Sequence, residues 1–486
     1  MSEQILLQGN ILGIEEFLLS PASSEDANPS LGEELLAARA QWITLLCEAL
    51  PRALLAELGL ARILLGSSGG GQFLLVLPGT ARVPAQEFLS AAASEIDRLS
   101  NGHIQLLWGI TENLGDWSVV RKRLQEEFQR WRGTPLAGVG IDAFHPYPAR
   151  SPADARGYFS RELGHTVREA SSIGWSPETP GQVFASPGKY NWKLTPNLSI
   201  DGITFARHAA PGDDGGSAAD TAALARRAQG KPIWGVLRGD VDSFGVRLRR
   251  VQNIEEHVQL SVLYKQFFAG ELEVLCSMPE FWRKVTILYS GGDDFAVYGA
   301  WDGLIALARE LQRLFHRFTE ENLKDFPGAE GKTISMGLAL SPDVEYPLAA
   351  VYEDAGRHLS LAKAAGKDCM YLLGRILEWK QLSSAAELKE SVMRMMGDAR
   401  SSRQALSELR ALYGKMTLAS ASGADLKKVW RFHRRLQLIL SAVKEREFQK
   451  QKTHLIGEII GRNTTQVKLR PAGWVALEWA RLLTEV

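Results

Sequence analysis

The chain runs twice through one alternation: short apolar runs, then longer stretches whose apolar residues return at helical spacing. A helical tail follows. In the second round, Ile233-Trp234-Gly235-Val236-Leu237 predicts a buried central strand, because strands covered on both faces read as continuous apolar segments. Glu255 to Leu275 predicts helix. Val285-Thr286-Ile287-Leu288 and Ala296-Val297-Tyr298-Gly299 predict two strands around a tight Gly291-Gly292 turn, hence a β-hairpin. Trp301 to Glu320 carries Leu304, Leu307, Leu311 and Phe315 along one side and predicts an amphipathic helix. A strand over Ile334 to Leu340 and a helix over Leu348 to Ala365 close the round.

The first round has the same order. It opens on Ile5-Leu6-Leu7 and a helical stretch from Gly32 to Leu58. The runs Arg62 to Gly66 and Leu74 to Leu77 flank Ser68-Gly69-Gly70-Gly71, and a strand (Gln105 to Ile110) and a helix (Val119 to Trp131) follow. Ser68 matches Ser290, Gly69-Gly70 match Gly291-Gly292, and Phe73 matches Phe295. Gly71 and Gln72 fall where Asp293 and Asp294 stand, and Asn10 falls where Asp240 stands. Such a repeat implies duplication of one structural unit. The first copy keeps the frame and lacks the carboxylates, so its expected role is not metal catalysis.

The expected fold class is α+β: two copies of one unit, the first degenerate, with an all-α C-terminal domain; the resemblance given below implies that the unit is a ferredoxin-like palm. The expected boundaries are 1–140 for the first palm, 141–230 for an insert, 231–375 for the second palm and 376–486 for the helical domain. The insert is rich in Pro, Gly and Ser. Its Pro211 to Ser217 segment reads as a loop, with Asp213-Asp214 as solvated turn residues.

Composition changes the picture in three ways. Lys+Arg and Asp+Glu are equal at 56 each, so no global basic field grips nucleic acid and any such contact is local. Cys47, Cys276 and Cys369 stand far apart, which argues against a disulfide framework or a CxxC zinc knuckle and fits a reducing cytosol. The most apolar long stretch, Trp42 to Gly66, contains Glu48, Arg52, Glu57 and Arg62, so no membrane span is expected.

The candidate chemistry lies at the exits of two predicted strands. Gly239-Asp240-Val241-Asp242 ends the central strand, and Ser290-Gly291-Gly292-Asp293-Asp294-Phe295 forms the hairpin tip. If the strands pair, Asp240, Asp293 and Asp294 share one sheet edge. Oxygen ligands in that number suit Mg²⁺ with substrate phosphates, as phosphoryl or nucleotidyl transfer requires.

These segments, with Leu361-Ala362-Lys363-Ala364-Ala365-Gly366-Lys367-Asp368, resemble the palm shared by GGDEF-type nucleotide cyclases and the large subunit of type III CRISPR effector complexes. The Asp-Asp ending points to the CRISPR branch. The resemblance implies that Asp240, the Val241 carbonyl, Asp293 and Asp294 hold two Mg²⁺ or Mn²⁺ ions, and that Ser290, Gly291 and Gly292 admit ATP. Lys363 and Lys367 would meet its phosphates, although their place near a helix C-terminus also fits simple neutralisation of the helix dipole. It further implies synthesis of cyclic oligoadenylate on target-RNA recognition, in the cytoplasm. The implied partners are other type III subunits, guide RNA and target RNA. The family's nuclease domain, signed by a His-Asp pair, and its zinc module are not expected here. A cyclic dinucleotide synthase, AMP transfer to another small acceptor, and a non-catalytic ribonucleoprotein scaffold remain the alternatives.

In the tail, Glu387 to Met396, Ser402 to Tyr413, Asp425 to Gln451 and Trp474 to Leu483 predict helices. Lys427, Lys428, Arg431, Arg434 and Arg435 crowd the first half of the third, either as a solvated face or as a contact for RNA or a neighbouring subunit.

Overall fold

The computed structural model describes residues 4–20, 29–133, 153–196, 199, 201–214, 217–396 and 471–485, with isolated residues between 404 and 446. The first unit contains β1 (Gln4–Leu12), α1 (Ile14–Leu19), α2 (Pro29–Glu57), β2 (Leu65–Gly69), β3 (Gln72–Pro78), α3 (Arg82–Leu99), β4 (Gln105–Glu112) and α4 (Trp117–Gly133). Its antiparallel sheet has the order β2-β3-β1-β4.

The middle of the chain contains α5 (Ala153–Glu162), α6 (His165–Glu169), β5 (Ser172–Trp175), β6 (Tyr190–Thr195), β7 (Gly202–Thr204) and α7 (Thr221–Arg226). The three strands form a small sheet of their own. No strand was legible here in the sequence, because runs of three to six residues are too short to show a period. Asp220 caps α7 by accepting from the Ala223 N–H. Asp213 pairs with Arg226 and Arg227 at the surface.

The second unit comprises β8 (Trp234–Val241), α8 (Phe244–Arg250), α9 (Ile254–Lys265), a π-helical turn (Gln266–Glu271), α10 (Leu272–Cys276), β9 (Val285–Ser290), β10 (Asp294–Ala300), α11 (Trp301–Asn322), β11 (Ile334–Leu340), α12 (Leu348–Ala364), β12 (Cys369–Leu372) and β13 (Arg375–Glu378). The sheet order is β13-β12-β11-β8-β10-β9, parallel only between β11 and β12. β8 lies between β10 and β11, which explains its apolar run: Trp234, Val236 and Leu237 are fully buried. Asn253 caps α9 by accepting from the Glu256 N–H, and the Glu256 carboxylate accepts from the Gln252 N–H just before the cap. The buried face of α11 carries Leu304, Leu307, Leu311 and Phe315, as its spacing predicts.

The two units repeat in register as well as in order. Asn10 pairs with Gln72 across β1 and β3, and Asp240 pairs with Asp294 across β8 and β10. The Ile11 N–H donates to the Gly71 carbonyl, and the Val241 N–H to the Asp293 carbonyl. Both copies also place glycine opposite the hairpin phenylalanine. A Cβ on Gly9 would lie 2.1 Å from Phe73, and one on Gly239 would lie 2.3 Å from Phe295. Only glycine lets either ring lie flat on the neighbouring strand.

The tail differs from expectation at its start. Arg375–Glu378 is strand β13 rather than helix, reached through left-handed Leu373 and Gly374. Four residues are too few to break a helical pattern read from sequence. α13 (Trp379–Met396) and α14 (Pro471–Thr484) then pack on the second palm, with Leu382, Val475, Trp479 and Leu482 in its core. Of the expected helix Ser402 to Tyr413, residues 404 and 407–411 are described and are helical; the expected helix Asp425 to Gln451 falls mostly outside the described residues. Among the described residues no helix is long and apolar enough to cross a membrane.

Candidate nucleotide site between the palms

The glycine turns of the two units meet. A Cβ on Gly70 would lie 3.2 Å from the Gly292 nitrogen, so the two tips touch backbone to backbone. Beside them opens a cavity of about 270 Å³ lined from both sides. The first unit contributes Ile14, Glu15, Thr44, Glu48 and Gly69 to Gly71; the second contributes Arg238, Asp240, Lys265, Tyr289 to Gly291, Asp293, Asp294 and Tyr352.

The cross-strand pairing places Asp240 and Asp294 side by side, and Asp293 follows the turn glycines. Burial raises the pKa of Asp240, and Lys363 opposes that rise through a direct ion pair. Burial, then the charges of Asp294 and Asp240, raise Asp293 well above the ordinary carboxylate range. Burial and the Asp240 charge push Asp294 up to about 6, against the Tyr289 hydroxyl, which donates to it at 3.1 Å. Three carboxylates crowded in a partly buried cleft repel one another, and a cation bound there would relieve that repulsion.

The remaining expected residues are placed as follows. Ser290 lines the cavity, and its hydroxyl donates to the Phe268 carbonyl within the π-helical turn. Gly291 donates its N–H to the Asp294 carbonyl, which closes the hairpin. Val241 is buried beside Asp240. Lys363 reaches Asp240, whereas the Lys367 ammonium donates to the Ser243 hydroxyl at 2.6 Å; neither lysine lines the cavity. Among the described residues no three His, Cys, Asp or Glu side chains stand in a metal-binding arrangement: Asp240 is turned to Lys363 and Asp294 to Tyr289. Asn10 and Gln72 do not line the cavity. Lys427, Lys428, Arg431 and Arg435 lie outside the described residues, and Arg434 is helical and exposed.

Four charged lining residues, Glu15, Glu48, Arg238 and Lys265, were missed in the sequence. Arg238 lies over the Tyr352 ring, 4.2 Å from its centre, and its guanidinium donates to Glu15 of the first palm at 2.8 Å. As the one basic residue in an otherwise largely apolar strand, it was a readable signal. Glu48 and Lys265 form a buried pair at 2.6 Å between the palms, joined by Arg52 and the Ser68 hydroxyl. Burial alone would raise the Glu48 pKa, but Lys265 and Arg52 overcome it and hold the carboxyl below its usual range. Those two sit in helices where charged residues are ordinary, so nothing in the sequence marked them.

Two palm-type sheets that share one cleft, with aspartates at the hairpin tip of one copy and none at that of the other, have the architecture of the polymerase/cyclase palm class. Residues 233–371 match the family model described as Cas10/Cmr2, second palm domain. The chain is 24% identical over 470 residues to the Cas10/Csm1 subtype III-A protein of Mycobacterium tuberculosis, covering 78% of this chain and 55% of that one. It is 30% identical over 179 residues to that of Enterococcus italicus, covering 35% and 22%. Both relatives are named CRISPR system single-strand-specific deoxyribonucleases. The chain thus spans between about a fifth and just over half the length of these relatives. An apo Csm1–Csm4 cassette superposes with a TM-score of 0.75 at 19% identity, covering 99% of this chain and 70% of that one. A Csm1–Csm4 subcomplex of the type III-A interference complex gives 0.75 at 20%, with the same coverage. The chain is therefore similar to Cas10/Csm1 proteins in the sequence of its second palm, and to Csm1 in fold.

Proposed function

We propose that the chain is the nucleotidyltransferase subunit of a type III CRISPR effector complex and converts ATP to cyclic oligoadenylate on target-RNA recognition. The observation that carries this is the single cleft between two copies of one frame, with Asp240, Asp293 and Asp294 on one wall and a carboxylate-free glycine turn on the other. It is supported by solved structures of the same fold, captured with AMPPNP, with pppApApA and with cA4.

Asp240, the Val241 carbonyl, Asp293 and Asp294 form an all-oxygen donor set that fits Mg²⁺ or Mn²⁺. A pair of such ions, when bound, would supply Lewis-acid activation of a ribose 3′-hydroxyl and of the α-phosphate. The chain's own groups do the rest. Gly291 and Gly292, without side chains, let a nucleotide approach the backbone. Lys363, released from Asp240, and Lys367 offer ammonium groups to the β- and γ-phosphates. The first palm seats the acceptor nucleotide with its glycine turn and α2, which line the cleft, rather than with Asn10 and Gln72, which do not. On this reading the partners are other type III subunits, guide RNA and target RNA, in the cytoplasm. The domain limits proposed are those of the sequence reading, with the second palm extended to Glu378 to include β13.

The test is to incubate the reconstituted complex with labelled ATP, Mg²⁺ or Mn²⁺ and target RNA, and to identify products by mass. Cyclic oligoadenylates are expected. A cyclic dinucleotide, AMP joined to another acceptor, or no product would each replace this reading.

A further inference from the structure

The second carboxylate of the Asp240-Val241-Asp242 segment does not face the cleft. Asp242 is 3% exposed, and protein donors occupy its carboxylate. Ser335 donates to one oxygen at 2.7 Å, while Thr333 and the Asp368 backbone N–H donate to the other at 2.8 and 2.9 Å. The Asp242 backbone is held too, donating to the Thr333 carbonyl and accepting from the Gly331 N–H. Charge-assisted bonds of this kind are about twice as strong as neutral ones.

The segment it grips is strained. Five described non-glycine residues have left-handed φ, and three of them meet here: Ser243 at 59°, Lys367 at 68° and Asp368 at 49°. Such backbone is disfavoured for a residue with a side chain and persists only where the surroundings impose it. At this junction the surroundings are Asp242, which holds the Asp368 N–H, and the Lys367 ammonium on Ser243. The result is a lysine whose ammonium is fixed on Ser243, just past the exit of β8.

We propose that Asp242 is a positioning residue whose buried carboxylate locks the 366–368 turn and so aims Lys367 at the anionic tail of the bound nucleotide. This rests on the nucleotide-site reading above. Asp242 touches neither substrate nor metal, and its effect reaches the reaction only through Lys367.

The experiment measures equilibrium binding of a non-hydrolysable ATP analogue and of AMP to the full chain with Mg²⁺. Asp242→Ala and Lys367→Ala should each weaken the analogue about tenfold, the loss of one charged contact. The double variant should be no weaker than either single one, because residues acting as a unit are non-additive. AMP affinity should not change, since AMP has no β- or γ-phosphate. Asp368→Gly in the Asp242→Ala background should restore analogue binding, because glycine holds a positive φ without steric cost. Should Asp242→Ala fold poorly, Asp242→Asn, which keeps one acceptor, should show a smaller loss and faster amide exchange at Asp368. Additive losses, equal loss of AMP, or no rescue by glycine would overturn the proposal. Wild-type protein that binds the analogue yet forms no product sinks the activity reading alone and leaves the binding pattern to decide the role of Asp242. Absence of analogue binding in the wild type overturns both.

Discussion

At the hairpin base of the first palm the registered positions are Gln8, Asn10 and Gln72; at the same positions of the second they are Arg238, Asp240 and Asp294. Each charged group of one copy has a neutral amide in the other. The Gln8 amide donates to Asn10 at 3.3 Å, so these amides need neither cation nor ligand. The second copy instead crowds carboxylates in a partly buried cleft, raises the pKa of each, and leans on Lys363 and Tyr289 to hold them. The helices behind the hairpins diverge as well. α2 runs through Pro51, and Ser68 donates to Glu48; the second copy has a π-helical turn whose Phe268 carbonyl accepts from Ser290. π-turns often mark functional sites, since they free a carbonyl from the helix ladder. What both copies keep is the glycine-on-phenylalanine packing of the frame. The fold depends on that packing, whereas the chemistry rests on a few exchangeable side chains.

The largest effect is expected from stripping the charge of the second palm. Asp293→Ala combined with Asp294→Ala should reduce nucleotide conversion to background and abolish the thermal stabilisation that Mg²⁺ gives the wild type. Complex assembly should persist. Substantial product from a folded double variant would falsify the carboxylate assignment.

The frame makes the next largest demand, and it should be equal in both copies. Gly9→Ala and Gly239→Ala each drive a methyl into a buried ring, and each should cost about 3 kcal/mol, the upper part of the overpacking range. Chemical denaturation measures both. A tolerated Gly9→Ala would show that the first palm is not held to the same packing.

Acid should loosen the seam between the copies by a somewhat smaller amount. His257 of α9 packs on Trp117 of α4, and burial, then Arg121, lowers its pKa to about 4 from 6.5. Between those values the unfolded chain binds the proton and the folded one does not. The stability His257 contributes is therefore full above 6.5 and is lost as pH falls toward 4. By pH 5 the loss should reach about 2 kcal/mol. His257→Gln should flatten that slope in a pH series of melting temperatures; an unchanged slope would assign the acid sensitivity elsewhere.

The smallest effect is expected from converting the first palm toward the second. Asn10→Asp with Gln72→Asp should leave turnover unchanged and should not revive the Asp293→Ala, Asp294→Ala variant, because neither position lines the cleft. Recovered turnover would make the first palm a latent catalyst.

The two hairpins, the central strand and the repeat between the palms were legible in the sequence, because each rests on local signals: apolar runs, glycine turns and matched spacing. So were Asp240, Asp293 and Asp294, which sit at strand exits where chemistry recurs. The β5–β7 sheet and β13 were not, being too short for any period. Asp242 was read only as one of a cluster, and its burial under Thr333, Ser335 and Asp368 depends on segments about ninety or more residues away. The Glu48–Lys265 pair and the Arg238–Glu15 contact depend likewise on one palm meeting the other. Sequence period decides which face of an element is apolar; which charges then face one another across a seam is decided only when the two faces pack.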